Sequence, residues 1–285
     1  MGPEARRQRT VRTRDLTFHV VEHGPNDGPL VLLLHGFPEQ WWFWQHQLGP
    51  LGDAGLHVVA PDLRGYGKSD RPRSGYDLQT LASDIPALVH ALGHDDAHVV
   101  GHDWGAAIAW VAATLHPTVV NRLTSMSLPH PSRFEQALRR SPAQVRRSTY
   151  MLGFQLPWLP ERRVRSGFPV TLLDRWGGPG FPDIETARRT REAFSQPGAA
   201  RAALAYYRAA GRAMATPTLR RLLEPGVHVP VLQIHGALDG CVLPSTARGS
   251  EPWAHAGLTY VELPGVGHFP ALEAPEVVTE LLLGS

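Results

Sequence analysis

The residues with the clearest chemical capacity lie in Gly101-His102-Asp103-Trp104-Gly105. An apolar run, Ala97-His98-Val99-Val100, precedes them, and small residues, Ala106-Ala107-Ile108-Ala109, follow as the start of a helix. Strand, Gly-x-nucleophile-x-Gly corner and helix together make a nucleophile elbow, whose glycines permit the tight turn that presents the central side chain. Most such elbows carry serine, which must lose a proton before it attacks. Here the centre is Asp103. An aspartate, with a reference pKa of about 3.9, is ionised at neutral pH and attacks unaided to form a covalent ester. A carboxylate is a poor nucleophile toward amides and ordinary esters. It suits displacement at a saturated carbon that bears a leaving group or belongs to a strained ring. The ester must then be cleaved by water, and that step calls for a base.

The carboxy-terminal part offers one. Val229-Pro230-Val231-Leu232-Gln233-Ile234 reads as a buried strand and leads into Asp239; Thr259-Tyr260-Val261-Glu262-Leu263 reads as the next and leads into His268. Both residues fall just past strand ends, where open parallel sheets place their ligand sites. With a reference pKa of about 6.5, His268 is expected to be neutral and basic near pH 7, with Asp239 holding its tautomer and stabilising the imidazolium.

The elements that must position these groups alternate strand and helix, which indicates a mainly parallel sheet. Thr17-Phe18-His19-Val20-Val21 reads as an early strand, Pro29 to Leu34 as one buried on both faces, and His57 to Ala60 as another. Leu78, Leu81, Ile85, Leu88 and Leu92 recur at helical spacing, with Pro86 expected to kink or restart that helix. After Pro129 the strands stop. Ser132 and Glu135 read as a capping box, and helical patterns continue to about residue 223 before the sheet resumes. Residues 1–129 and 224–285 are therefore expected to form an α/β core, and 130–223 a helical cap inserted over the site.

Charge divides at the same boundary: residues 130–223 carry 17 arginines against 6 acids, in a chain of net charge +2. Solvated helix faces account for such an excess. So would electrostatic docking of cap on core, or a basic outer face for an anionic partner. The modest net charge carries no nucleic-acid signature. Of the 28 basic residues Lys68 alone is lysine, which suggests a GC-rich coding sequence. The single cysteine, Cys241, forms no internal disulfide and reads as structural. No apolar run suits a spanning helix or a secretory signal, so a cytoplasmic protein is expected, with no membrane span. Trp41, Trp42 and Trp44 read as packing. His94 to His98 lacks the setting of a metal site, and Gly65-Tyr66-Gly67-Lys68-Ser69 lacks the first glycine of a phosphate loop.

From about Thr17 onward the chain resembles the α/β-hydrolase-fold epoxide hydrolases. His35-Gly36-Phe37-Pro38-Glu39, followed by Trp42 and Trp44, is similar to that family's oxyanion-loop motif. The Asp103 segment is similar to its nucleophile motif, and Asp239 and His268 match its acid and base. Tyr150-Met151-Leu152-Gly153-Phe154-Gln155-Leu156-Pro157 and Ala205-Tyr206-Tyr207-Arg208 resemble its two lid-tyrosine segments. The resemblance implies that Tyr150 and Tyr207 hold the epoxide oxygen; one residue of shift would turn Tyr206 about 100° away round the helix. Such phenols, with a pKa of about 10, stay protonated at neutral pH yet can donate to the alkoxide of an opening ring. The resemblance further implies an oxyanion hole from the N–H groups of Phe37 and Trp104, and a water-ordering role for Glu39 and His102. It implies substrate contacts from Phe37, Pro38, Trp104, Met151 and Phe154, an apolar epoxide as substrate, and no cofactor or metal. It leaves room for a homodimer.

A haloalkane dehalogenase is the nearest alternative, since it also uses an Asp elbow followed by Trp. A departing halide needs N–H donors and not paired lid phenols, and many such enzymes supply an amide or acid where this chain has Phe37. A fluoroacetate dehalogenase would be expected to carry Arg where Trp104 stands. A non-catalytic receptor on the same fold would be expected to have lost one of the reactive residues, all of which are present.

Overall fold

The computed structural model describes residues 6–213 and 218–285. Residues 1–5 of the basic amino-terminal stretch and residues 214–217 of the expected insertion lie outside the described residues.

Continuous apolar runs form the middle of one sheet. The described residues give eight strands: β1 (Arg7–Arg12), β2 (Thr17–His23), β3 (Leu30–Leu34), β4 (His57–Pro61), β5 (Ala97–His102), β6 (Val120–Met126), β7 (Val231–Gly236) and β8 (Leu258–Leu263). Their spatial order is β1-β2-β4-β3-β5-β6-β7-β8. β2 pairs antiparallel with β1 and β4, and all other pairings are parallel. Every residue of β3, β4 and β7 is buried, as expected of parallel strands covered on both faces. The chain is thus an α/β protein with a mostly parallel central sheet.

Strand β1 departs from the sequence reading, which began the sheet at Thr17. Only Val11 of its six residues is buried, so no apolar alternation marks it. Its place at the edge is fixed by charge. Arg7 and Arg9 donate to the buried Glu22 of β2 at 3.3 and 3.0 Å. Burial acts to raise the Glu22 pKa, but His57 and the two arginines outweigh it and draw it down to about 2.

Two helix expectations are corrected. Leu78–Ala91 is one uninterrupted helix with Pro86 inside it, so no restart occurs; its Asp77 cap accepts from the Thr80 N–H. The first helix of the insertion, Pro131–Arg140, is capped by the His130 side chain accepting from the Ser132 N–H, not by Ser132. Pro131 favours the first helical position because its missing N–H is not needed there, and this moves the start upstream. Glu135 pairs instead with Arg139 one turn on.

Between β6 and β7 the described chain is helical throughout its regular elements, from Pro131–Arg140 to Thr218–Leu223. The insertion touches the sheet at the ends where β5, β7 and β8 finish. The Trp176 carbonyl accepts from the Gly240 and His268 N–H groups, and the Glu273 carboxylate accepts from the Gly178 N–H. Insertion arginines Arg133 and Arg147 reach carbonyl oxygens outside it. Among the described residues, the ion pairs of insertion arginines (Arg139–Glu135, Arg188–Glu185, Arg188–Glu192, Arg189–Glu185 and Arg208–Glu161) stay within the insertion. Ion pairing does not dock it on the core.

Candidate active site

Asp103 stands between β5 and the helix Trp104–Leu115, at φ 49° and ψ −116°. A non-glycine residue rarely takes a positive φ, and the corner is held by crowding around it. A Cβ on Gly101 would lie 2.3 Å from the Gly105 oxygen, and one on Gly105 would lie 2.2 Å from the Leu34 oxygen. The glycines of the motif are there because backbone passes backbone at contact distance.

The Asp103 carboxylate is 7% exposed. Its Oδ1 accepts from the Phe37 N–H at 2.9 Å, and its Oδ2 lies 3.7 Å from His268 Nε2, beyond hydrogen-bond reach. His268 Nδ1 meets Asp239 Oδ2 at 2.8 Å. Asp239 Oδ1 in turn accepts from the N–H groups of Cys241 and Val242 at 2.7 and 2.8 Å. Asp103, more than a hundred positions from the other two, thus falls in one line with His268 and Asp239. Burial alone would raise the Asp239 pKa, but the His268 charge and these hydrogen bonds hold it below the ordinary carboxylate value.

The state of His268 corrects the sequence reading. Burial pulls its pKa down, but Asp239 and Asp103 outweigh that and lift it to about 10. At neutral pH the resting imidazole is charged and not free base. The reason is local: two carboxylates face one fully buried ring.

The loop carrying His268 is braced from outside. Glu273 accepts from the N–H groups of Gly267 and Phe269, which flank the histidine, at 2.8 and 2.9 Å. Glu39 accepts from the Gly36 N–H and pairs with His102 Nδ1 at 3.0 Å, while His102 Nε2 donates to the His268 carbonyl at 2.7 Å. Glu39 and His102 are fully buried and reach the site through that carbonyl. Glu273 escaped the sequence reading; its one signal was an acid one helical turn past the histidine.

Opposite Asp103, the insertion lowers two phenols. Tyr207, on the helix Ala199–Ala213, packs edge-on against Trp104 with ring centroids 5.0 Å apart, and against Phe154 and Phe37 at 4.9 and 5.5 Å. Its hydroxyl is buried and has no hydrogen-bond partner among the described residues. The Tyr150 ring lies 5.8 Å from that of Tyr207, and its hydroxyl lies 3.7 Å from Cys241 Sγ. Burial raises both phenol pKa values well above 10, and the Asp103 charge adds to the rise. Tyr206 points away and donates to the Arg64 carbonyl at 2.7 Å.

Asp103, Tyr150 and Tyr207 line one cleft, with Trp104, Met151, Leu78, Leu128 and Phe134 among its apolar walls. Of the residues expected to touch substrate, Trp104 and Met151 do line it. Phe37, Pro38 and Phe154 are buried outside the lining, and the rings of Phe37 and Phe154 back Tyr207. Cys241, read as structural, stands in the cleft wall. It follows Asp239 by two residues, and the loop that delivers the acid delivers the thiol with it. Trp42 and Trp44 are buried packing residues.

Comparison with known proteins identifies the fold family. A family model described as "alpha/beta hydrolase fold" matches residues 29–275. Human epoxide hydrolase 4 is 34% identical over 284 residues, covering 95% of this chain and 76% of its own. A Bacillus subtilis AB hydrolase superfamily protein, YfhM, is 37% identical over 281 residues, covering 96% and 95%. An epoxide hydrolase from Bacillus megaterium, solved with an inhibitor, superposes with TM-score 0.86 at 27% identity over 97% of this chain and 99% of its own. The fold and site define an α/β hydrolase. Within that class, the chain belongs to the epoxide hydrolase family.

Proposed function

We propose that the protein hydrolyses an apolar epoxide to a vicinal diol through a covalent ester on Asp103. The observation that carries this reading is the placement of a carboxylate and two buried, protonated phenols on opposing walls of one apolar cleft. Relatives named epoxide hydrolase support it.

Asp103 Oδ1 is occupied by the Phe37 N–H, so Oδ2 is the attacking oxygen. It bonds to a ring carbon, the C–O bond breaks, and the electron pair stays on the epoxide oxygen. Tyr150 and Tyr207 donate to that oxygen and one of them gives up its proton. Their raised pKa keeps the protons available, since a phenol held neutral is a donor throughout the neutral range. The helical insertion acts as a cap: it carries the phenols and keeps water from the alkoxide.

Esterification removes the Asp103 charge. His268 then faces one carboxylate instead of two, and its proton affinity falls. The proton it sheds balances the one lent by the phenol. Nε2, now free and oriented by Asp239, takes a proton from water, and the hydroxide adds to the ester carbonyl carbon. The Phe37 and Trp104 N–H groups stabilise the tetrahedral oxyanion, an arrangement worth on the order of 100-fold or more per donor. Collapse of that intermediate releases the diol and restores the carboxylate. Glu39 and His102 serve the water step through the His268 backbone they brace.

Incubation with aryl, terminal and fatty-acyl epoxides, and separately with haloalkanes, tests the reading. Diol formation without halide release is expected, and slower diol formation in Tyr150→Phe. Halide release with no epoxide turnover would assign the cleft to dehalogenation.

A further inference from the structure

Arg220 lines the cleft and Arg147 braces the Asp239 loop, but other arginines of the insertion lie along an exposed apolar display. In the segment Tyr150–Arg165 the buried side holds Phe154, Pro160 and Val164, while the outer side presents Leu152, Leu156, Trp158 and Leu159 at 72, 50, 85 and 54% exposure. Single exposed apolar residues are ordinary; four within eight positions are not. The display is held in place. Arg208 donates to the carbonyls of Phe154 and Leu156 at 3.1 and 2.7 Å and pairs with Glu161, so both flanks of the Trp158 turn are tied to the helix below. Trp158 itself sits at φ 56°, a conformation bulky residues avoid.

Arginines flank this stretch in sequence. Arg146, Arg162 and Arg165 are exposed and hold no ion pair among the described residues, while Glu161 is occupied by Arg208. The charge complements an anionic partner. It opposes a second copy of this chain, because a two-fold contact through this patch would set arginines against arginines. An exposed tryptophan and leucines rimmed by arginines is the pattern of a surface that inserts shallowly into a headgroup layer.

We propose that this face of the cap docks on an anionic lipid bilayer, with Trp158 and the three leucines entering the interface and Arg146, Arg162 and Arg165 meeting lipid phosphates. The proposal does not rest on the reaction assigned to the cleft. No described helix is long and apolar enough to cross a membrane, so the attachment is peripheral and reversible.

Co-sedimentation of the full chain with phosphatidylcholine vesicles, with and without about 30% phosphatidylglycerol, tests it. Anionic vesicles are expected to retain the protein at least about tenfold better than neutral ones, with retention lost in about 0.5 M salt. Trp158→Ser with Leu159→Ser is expected to cut retention roughly tenfold, as is Arg162→Glu with Arg165→Glu, each with unchanged circular dichroism and unchanged turnover of a water-soluble epoxide. Three results would overturn the proposal. They are no retention on anionic vesicles, retention indifferent to these substitutions, or a lipid-free dimer in sedimentation equilibrium that the Trp158→Ser, Leu159→Ser variant abolishes.

Discussion

The two walls of the cleft are built on opposite principles. On the sheet side, His268 and Asp239 are hydrogen-bonded to each other, and the backbone N–H groups of Phe37, Cys241 and Val242 donate to the carboxylates of Asp103 and Asp239. On the cap side, Tyr207 has no hydrogen-bond partner among the described residues and Tyr150 has a thiol at 3.7 Å. The phenols are placed by ring packing against Phe154, Trp104, Phe37 and Trp176, each contact worth roughly 0.5–1.5 kcal/mol. A nucleophile and base must be oriented before substrate arrives, and bonds do that. In the proposed reaction the group that catches the new oxygen needs an uncommitted hydroxyl, and packing leaves Tyr207 with one.

The contrast predicts effects that differ in size and in the step they touch. Asp103→Asn removes the attacking charge and should cost on the order of 10⁴-fold or more in turnover. The same variant should lower the His268 pKa from about 10, because one of the two anions that raise it is gone; proton NMR titration of the buried ring reads this. An unshifted ring would break the link between the carboxylate and the base. His268→Gln should retain ring opening and stall afterwards, giving about one product equivalent of epoxide consumed and a trapped ester visible by intact mass. Steady turnover there should fall on the order of 10⁴-fold.

Loss of a cap phenol should be milder and confined to the first step. Tyr207→Phe or Tyr150→Phe should slow ester formation roughly 100-fold while ester hydrolysis, followed by rapid quench, stays unchanged. Phe154→Ala should act through packing: about 3–5 kcal/mol of stability lost in denaturant titration, with a smaller loss of rate as Tyr207 loosens. A further effect is on pH stability. The folded His268 pKa lies above the ordinary 6.5, so its contribution is complete below about 6.5 and is lost as pH rises through about 10. The melting temperature of Asp103→Asn should therefore fall less than that of wild type between pH 7 and pH 10.

Much of the sheet side was legible in sequence because its signals are short-range. Asp103 announces itself by two glycines that no other residue could replace, and Asp239 and His268 follow strand ends. The order of chemistry proposed above rests on residue types. The charge on His268 was not, since it depends on two carboxylates meeting in space. Tyr150 and Tyr207 could be named only by resemblance, because a tyrosine on an amphipathic helix carries no local mark of which way it points. Strand β1 lacked any apolar alternation, its pairing being fixed by Glu22 from another strand. Cys241 was read as structural because Tyr150, which it meets in the cleft, lies far off in the chain, and Glu273 was missed although the N–H groups it braces, those of Gly267 and Phe269, are close in sequence.

The central claim is that carbon bonds to Asp103 before water enters. A single turnover with enzyme in excess in heavy-oxygen water tests it. The account predicts an unlabelled diol and one heavy oxygen in the peptide that contains Asp103. A labelled diol with an unlabelled Asp103 peptide would contradict it.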